Sequence, residues 1–277
     1  MNRVMPVITS RKNAHVIEPA ALHEKKYRYE REVFLIEGEK LVIEAFEKGL
    51  PIVELFLSEE KAEDVLSRLQ PFGGKAEYRD LAVYTLSRDC FLKISSEKSP
   101  QGVIAVIKYL DFFKRKTIIY NDDIFSLAGM RVVMLYAMQD PGNLGAVIRS
   151  AVAFGADCIF LSADCADVYN SKTIRAAMGS LFRTRICMVE DVSSAIAAMQ
   201  ACGRRVLAAE LRENALPLSS AGLSANDCVI IGNEGHGIPC AISDMCDASV
   251  YLPISQNAES LNAAVAAAIF LWEQSKS

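Results

Sequence analysis

The stretch Ile230-Ile231-Gly232-Asn233-Glu234-Gly235-His236-Gly237-Ile238-Pro239 (IIGNEGHGIP) reads as the end of a buried strand running into a tight loop. An apolar run stops at glycine. Three glycines then surround one carboxylate and one imidazole, and a proline closes the segment. The glycine spacing does not fit the G-x-G-x-x-G dinucleotide fingerprint, and no Gly-Lys-Ser/Thr follows to make a P-loop. Glycine-rich backbone still lets a ligand approach main-chain N–H and C=O groups closely. Glu234 within it is either a functional carboxylate or a cap for the segment that follows.

Working outward, Met130 onward alternates strands and helices. RVVMLYA (131–137), CIFLS, RVLAAEL, CVIIG and ASVYLPI (248–254) read as strands. NLGAVIRSAVAFGA (143–156), NSKTIRAAMGSLFR (170–183) and SLNAAVAAAIFLWEQ (260–274) read as helices, with Asn170 as an N-cap candidate for the second. Such alternation predicts a mostly parallel sheet covered on both faces. The first hundred residues alternate more loosely. VFLIEG (33–38), IVELFL (52–57) and QGVIAVIKYL (101–110) read as strands, EKLVIEAFEKG (39–49) and KAEDVLSRLQ (61–70) as helices. The expected organisation is a small α/β domain over 1–111, a linker over 112–129 and a larger α/β domain over 130–277. The charged, weakly periodic 111–129 segment reads as the connection, with room for a short helix.

Ligands of parallel sheets sit beyond the carboxyl ends of the strands. Two more loops therefore matter. In QDPGNLGAVIRSAVAFGA, Asn143 opens the helix, as a plain N-cap or as an amide that positions a substrate. Arg149 further along is a surface cation or a phosphate grip. In YLPISQNAESLNAAVAAAIFLWE, Ser260 and Asn262 flank Leu261 at the start of the last helix. Ser260 is the N-cap candidate there.

Net charge is −4, so bulk charge does not mark a nucleic-acid binder. The distribution says more: Arg3, Arg11, Lys12, Lys25, Lys26, Arg28 and Arg31 crowd the first thirty-odd residues, with Tyr27 and Tyr29 between them. Basic residues with aromatics suit RNA, although a solvated helix face has the same composition. The eight cysteines are scattered and the three histidines do not cluster, so no metal site is expected. The sequence lacks a signal-peptide h-region and any apolar run long enough to span a membrane, which points to a cytoplasmic protein without membrane contact.

Taken together and in this order, Asn143-x-Gly145 with Arg149, Gly232-Asn233-Glu234-Gly235, and Leu252-Pro253-Ile254 with Ser260-Leu261-Asn262 resemble the three motifs of the SpoU (TrmH-type) RNA ribose 2′-O-methyltransferases of the SPOUT superfamily. YNSKTIRAAMGSLFR resembles that family's linking segment. FLIEGEKLVIEAFEKG and QGVIAVI are similar to the substrate-binding domain that often precedes it, a module resembling kink-turn-binding ribosomal proteins. The resemblance implies a mostly parallel sheet tied in a deep trefoil knot. It also implies S-adenosylmethionine as cofactor and a homodimer through the catalytic domain whose substrate site uses both subunits. By position it implies that Gly232, Leu252 and Leu261 hold the cofactor through main-chain groups and that Ile254 lines the adenine pocket. Asn143, Arg149, Glu234, Ser260 and Asn262 match the polar catalytic positions, with the arginine as the family's proposed proton acceptor. His236 matches no family role. Arg11, Lys12, Lys25, Lys26, Arg28 and Arg31 are then the candidate RNA contacts.

The reaction so implied is S-adenosylmethionine-dependent methylation of a ribose 2′-hydroxyl in RNA. Ribosomal RNA is favoured because the accessory domain is commoner among enzymes acting on it. The alternatives are a transfer RNA 2′-O-methyltransferase, or a non-catalytic RNA-binding or ribosome-assembly factor on the same fold. A small-molecule nucleotide enzyme is opposed by the missing phosphate fingerprint.

Overall fold

The computed structural model describes residues 6–78, 81–110, 113–116 and 129–277. Arg3 and most of the 111–129 segment lie outside the described residues. The chain divides into two compact units, one of 1–110 with Tyr169–Ile174, the other of Asp111–Val168 with Arg175–Ser277.

The first unit contains α1 (Ala14–Ala21), α2 (Lys25–Arg31), β1 (Val33–Glu37), α3 (Glu39–Glu47), β2 (Ile52–Ser58), α4 (Ala62–Leu69), β3 (Ala82–Leu86), α5 (Arg88–Ile94) and β4 (Val103–Lys108). The sheet order is β1-β4-β2-β3, antiparallel except for the β2–β3 pair. Val33, Leu35, Phe56, Tyr84, Ile104 and Val106 form one core with Val16, Phe91 and Ile94. Phe34 and Ile36 are buried as well, so β1 is covered on both faces, which accounts for its unbroken apolar run. Helix α3 stops at Lys48, followed by Gly49 at φ +66°, the left-handed position a glycine takes most easily. AVYTL in β3 and the first, second and fifth helices were not evident from the sequence, being short and weakly periodic.

In the second unit come β5 (Phe113–Lys116), β6 (Val132–Leu135), α6 (Pro141–Ala153), β7 (Cys158–Ser162), α7 (Ser171–Ala177, beginning in the first unit), β8 (Arg185–Val189), α8 (Val192–Ala201), β9 (Val206–Ala209), β10 (Leu216–Pro217), β11 (Cys228–Ile231), α9 (Cys240–Ser243), β12 (Ala248–Tyr251) and α10 (Ala263–Gln274). The eight strands run β10-β12-β9-β11-β6-β7-β8-β5, and every pairing is parallel. Part of the expected connection, Phe113–Lys116, is therefore an edge strand, paired with β8. Its charged sequence hid it, since an edge strand need not be apolar. β8 (RICMV) and α8 (VSSAIAAMQA) are further elements beyond those expected from the sequence. Val132, Met134, Phe160, Val206 and Ile230 pack with Ile196 and Met199 of α8 into the core under the sheet.

Two expected caps are corrected. Asp140, not Asn143, caps α6: its Oδ1 accepts from the Asn143 N–H at 2.7 Å, and Pro141 takes the first helical position. Asn262, not Ser260, caps α10, its Oδ1 accepting from the N–H groups of Ala264 at 2.9 Å and Val265 at 3.2 Å. Asn170 does accept from the Lys172 N–H, at 2.9 Å.

Candidate active site

β6, β11 and β12 end on the same side of the parallel sheet, and the loops that follow them converge. The Asn143 side chain lies between two partners. Its Nδ2 donates to Glu234 Oε1 at 2.8 Å, and its Oδ1 accepts from Asn262 Nδ2 at 3.0 Å. Because Asp140 already caps α6, the Asn143 amide is free to face the other loops. Asn262 uses both ends of its amide, capping α10 with the oxygen and holding Asn143 with the nitrogen. Glu234 does not act as a cap in this turn: the N–H groups of Gly235 and His236 bond to Asn233 Oδ1 instead, at 2.8 and 3.1 Å.

Beside this polar chain lies a cavity of about 370 Å³, inside the range of small-molecule sites of about 300–1,000 Å³. Gly232, Leu252, Ile254 and Leu261, four residues picked from the sequence, line it together with Glu234 and Ser260. Its apolar wall is completed by Ile231, Val250 and Phe270. Glu210 and Glu259, which the sequence gave no reason to select, add two carboxylates; among the described residues no Lys, Arg or His lines the cavity itself, and Arg212 stands 3.7 Å from Glu210 Oε1. Glu210 is held in place: its Oε1 accepts from Ser249 Oγ at 2.7 Å and from Ser243 Oγ. Gly232 has a steric reason to be glycine. A Cβ there would stand 2.6 Å from the Gly237 carbonyl carbon and 2.8 Å from its oxygen.

These features fit S-adenosylmethionine on chemistry. An apolar slot suits an adenine ring, and carboxylates suit a sulfonium and an ammonium. Carboxylates dominate the charged lining, and Arg212 beside Glu210 is already paired with it at 3.7 Å and with Asp244 at 2.8 Å, so a nucleoside phosphate is disfavoured.

Arg149 is exposed on α6 and does not join the Asn143–Glu234–Asn262 chain. Six residues along a helix of 3.6 per turn place it about 9 Å further along the axis than Asn143 and roughly 120° round the helix. His236 is exposed at the tip of the turn.

Of the candidate RNA contacts, Arg28 is corrected. It is 3% exposed, and its Nη1 donates to the carbonyls of Leu22 at 2.6 Å and His23 at 2.8 Å, so it closes the end of α1 and is not available to a phosphate. Arg11, Lys12, Lys25, Lys26 and Arg31 are exposed. Arg31 pairs with Glu18 at 3.2 Å and Lys26 with Glu30 at 3.9 Å, which among the described residues leaves Arg11, Lys12 and Lys25 the less compensated charges.

Residues 130–272 match the SpoU rRNA Methylase family, and residues 13–105 match the MRM3-like substrate binding domain. The chain is 34% identical to the 23S rRNA (guanosine(2553)-2′-O)-methyltransferase of Bacillus subtilis, over 97% of this chain and 98% of that one. It is 27% identical to the 23S rRNA (uridine(2479)-2′-O)-methyltransferase of Streptomyces viridochromogenes, over 96% and 90%. Among solved structures, the AdoMet-bound rRNA methyltransferase of Sinorhizobium meliloti superposes with a TM-score of 0.80 at 30% identity, covering 98% of this chain and 97% of that one. With its three motif loops gathered at one end of a parallel sheet, this chain belongs to the SpoU rRNA methylase family.

Proposed function

We propose that the protein transfers a methyl group from S-adenosylmethionine to a ribose 2′-hydroxyl of ribosomal RNA. One observation carries the reading: a carboxylate-lined cavity opens beside the bonded chain Glu234–Asn143–Asn262. The relatives named as 23S rRNA 2′-O-methyltransferases, aligned along nearly the whole chain, support ribosomal RNA over transfer RNA.

The cofactor supplies an electrophilic methyl on a good leaving group. The protein's tasks are then to hold cofactor and ribose in line and to manage one proton. Main-chain groups around Gly232, Leu252 and Leu261 bind the cofactor, and Ile254 flanks the adenine. Alignment of this kind supplies up to about 7–11 kcal/mol in well-oriented reactions. Glu234 acts on Asn143 rather than on Arg149, fixing the amide that faces the ribose, and Ser260 and Asn262 complete the polar wall. Arg149 presents a planar guanidinium fork, which grips the phosphate next to the target and lowers the hydroxyl's pKa. The phosphate or a water then takes the proton.

The enzyme works as a homodimer in this reading. α6 and α10 pack together in each protomer and leave an apolar groove of about 610 Å³ lined by Ala146, Phe154, Val265 and Trp272. Val265 and Trp272 are each nearly half exposed, a costly arrangement unless a second copy covers them. Pairing there brings Arg149 of one copy toward the other's Asn143, which accounts for its distance from the cluster within one chain. The same reading takes the C-terminal chain as threaded through a loop in the family's trefoil knot and 1–111 as the RNA-recruiting domain. It places the enzyme in the cytoplasm; no helix among the described residues is long and apolar enough to cross a membrane.

Calorimetry with S-adenosylmethionine and with ATP tests the cavity assignment. The account expects binding of the first and none of the second; ATP binding at equal or better affinity sinks it.

A further inference from the structure

Asn233 stands between the glycine that ends β11 and Glu234. Its Nδ2 donates to the Ala137 carbonyl at 2.6 Å, reaching 96 residues back along the chain. Its Oδ1 takes the N–H groups of Gly235 and His236, and its own main chain pairs with Gly237 in both directions, at 3.1 and 3.0 Å. One side chain therefore closes the turn that carries Glu234 and ties that turn to the loop after β6.

Ala137 is the point where the tie lands, and its backbone is unusual. It sits at φ +50°, the left-handed region that a Cβ disfavours. Such a conformation persists only where the surroundings over-determine it. Here they do: the Ala137 N–H donates to Ser162 Oγ at 2.8 Å, while its carbonyl takes Asn233. The chain then runs through Asp140, the cap of α6, to Asn143. The bend at Ala137 sets where α6 begins, and so sets Asn143 Nδ2 against Glu234 Oε1.

We infer that Asn233 is a positioning residue for methyl transfer: it straps the loop after β11 to the bent loop after β6 and so holds the Asn143–Glu234 pair in register. The inference rests on the methyltransferase reading of this site. Asn233 also borders the cofactor cavity, so a direct cofactor contact is the competing role.

Asn233→Asp separates the two. It keeps the oxygen that accepts from Gly235 and His236 and turns the donor to Ala137 into a carboxylate oxygen that the Ala137 carbonyl repels, so the strap is broken while the turn keeps its acceptor. We expect single-turnover methyl transfer to fall about 10–100-fold, because small misplacements of aligned groups are costly, with the Kd for S-adenosylmethionine within about threefold of wild type. Amide hydrogen exchange in peptides covering 136–143 should quicken while β7 stays protected. Transfer within about twofold of wild type, or a Kd loss as large as the rate loss, overturns the inference. Unchanged exchange over 136–143 also overturns it, whatever the activity. A wild-type protein that methylates nothing would instead sink the parent reading, and the exchange result would still judge the strap.

Discussion

Asn143 Nδ2 donates to Glu234 Oε1 at 2.8 Å, joining the first turn of α6 to the loop after β11 through side chains 91 residues apart in sequence. The bond needs a donor on one side and an acceptor on the other. Asn143→Asp puts two carboxylates in contact and removes the donor. Methyl transfer should drop at least about 100-fold, while Asp140 still caps α6 and the melting temperature stays near that of wild type. Turnover close to wild type would mean that the pair has no part in the chemistry.

Arg149 and Asn143 should serve different halves of each site. Arg149→Ala and Asn143→Ala homodimers should each be nearly inactive. Co-refolded in equal amounts, they form a mixed dimer with one intact site, and about a quarter of wild-type activity should return. No recovery would place both residues in the same half. Arg149→Lys alone should lose most activity, because a point charge does not reproduce a planar fork.

At position 232 the steric test is sharp. In Gly232→Ala the new methyl would lie 2.6 Å from main chain, which cannot swing aside like a side chain. The loop must move, and affinity for S-adenosylmethionine should fall at least tenfold, about 1.4 kcal/mol. An unchanged Kd in calorimetry would remove this loop from the cofactor site.

The two kinds of arginine in the first unit should part company. Arg11→Glu with Lys12→Glu should weaken RNA binding and flatten its salt dependence without moving the melting temperature. Arg28→Met removes two charge-assisted bonds to carbonyls and should cost about 3 kcal/mol of stability. If urea unfolding shows Arg28→Met as stable as wild type, the helix-closing role is wrong.

Burial pushes the Cys158 and Cys228 thiols up to about 12, so at pH 8 neither supplies thiolate. Cys240 is exposed at the start of α9. A disulfide reagent at pH 8 should modify Cys240 first and reach Cys158 and Cys228 only on unfolding. Rapid labelling of Cys228 in the native protein would contradict the buried sheet centre.

The central strands were legible because a parallel sheet buries both faces and leaves long apolar runs, as in CVII and CIFLS. β5 was not, because an edge strand carries no such run. The motif residues could be named as a set, but not wired. Asp140-Pro141 is itself a helix-start signal, but nothing in the sequence says that the Asn143 amide so freed meets Glu234, or that Asn262 both caps and clamps. Arg28 misled because a guanidinium that closes a helix and one that meets a phosphate look alike until burial is known. The carboxylates of Glu210 and Glu259 at the cavity were invisible for the opposite reason: isolated acidic residues in loops carry no pattern.

The most direct test is transfer of labelled methyl from S-adenosylmethionine to unmodified ribosomal and transfer RNA, with nucleoside mass spectrometry of the products. The account predicts a single 2′-O-methylnucleoside, in ribosomal RNA. A 2′-O-methylnucleoside confined to transfer RNA would overturn the substrate, and a methyl found only on a base would contradict the chemistry itself.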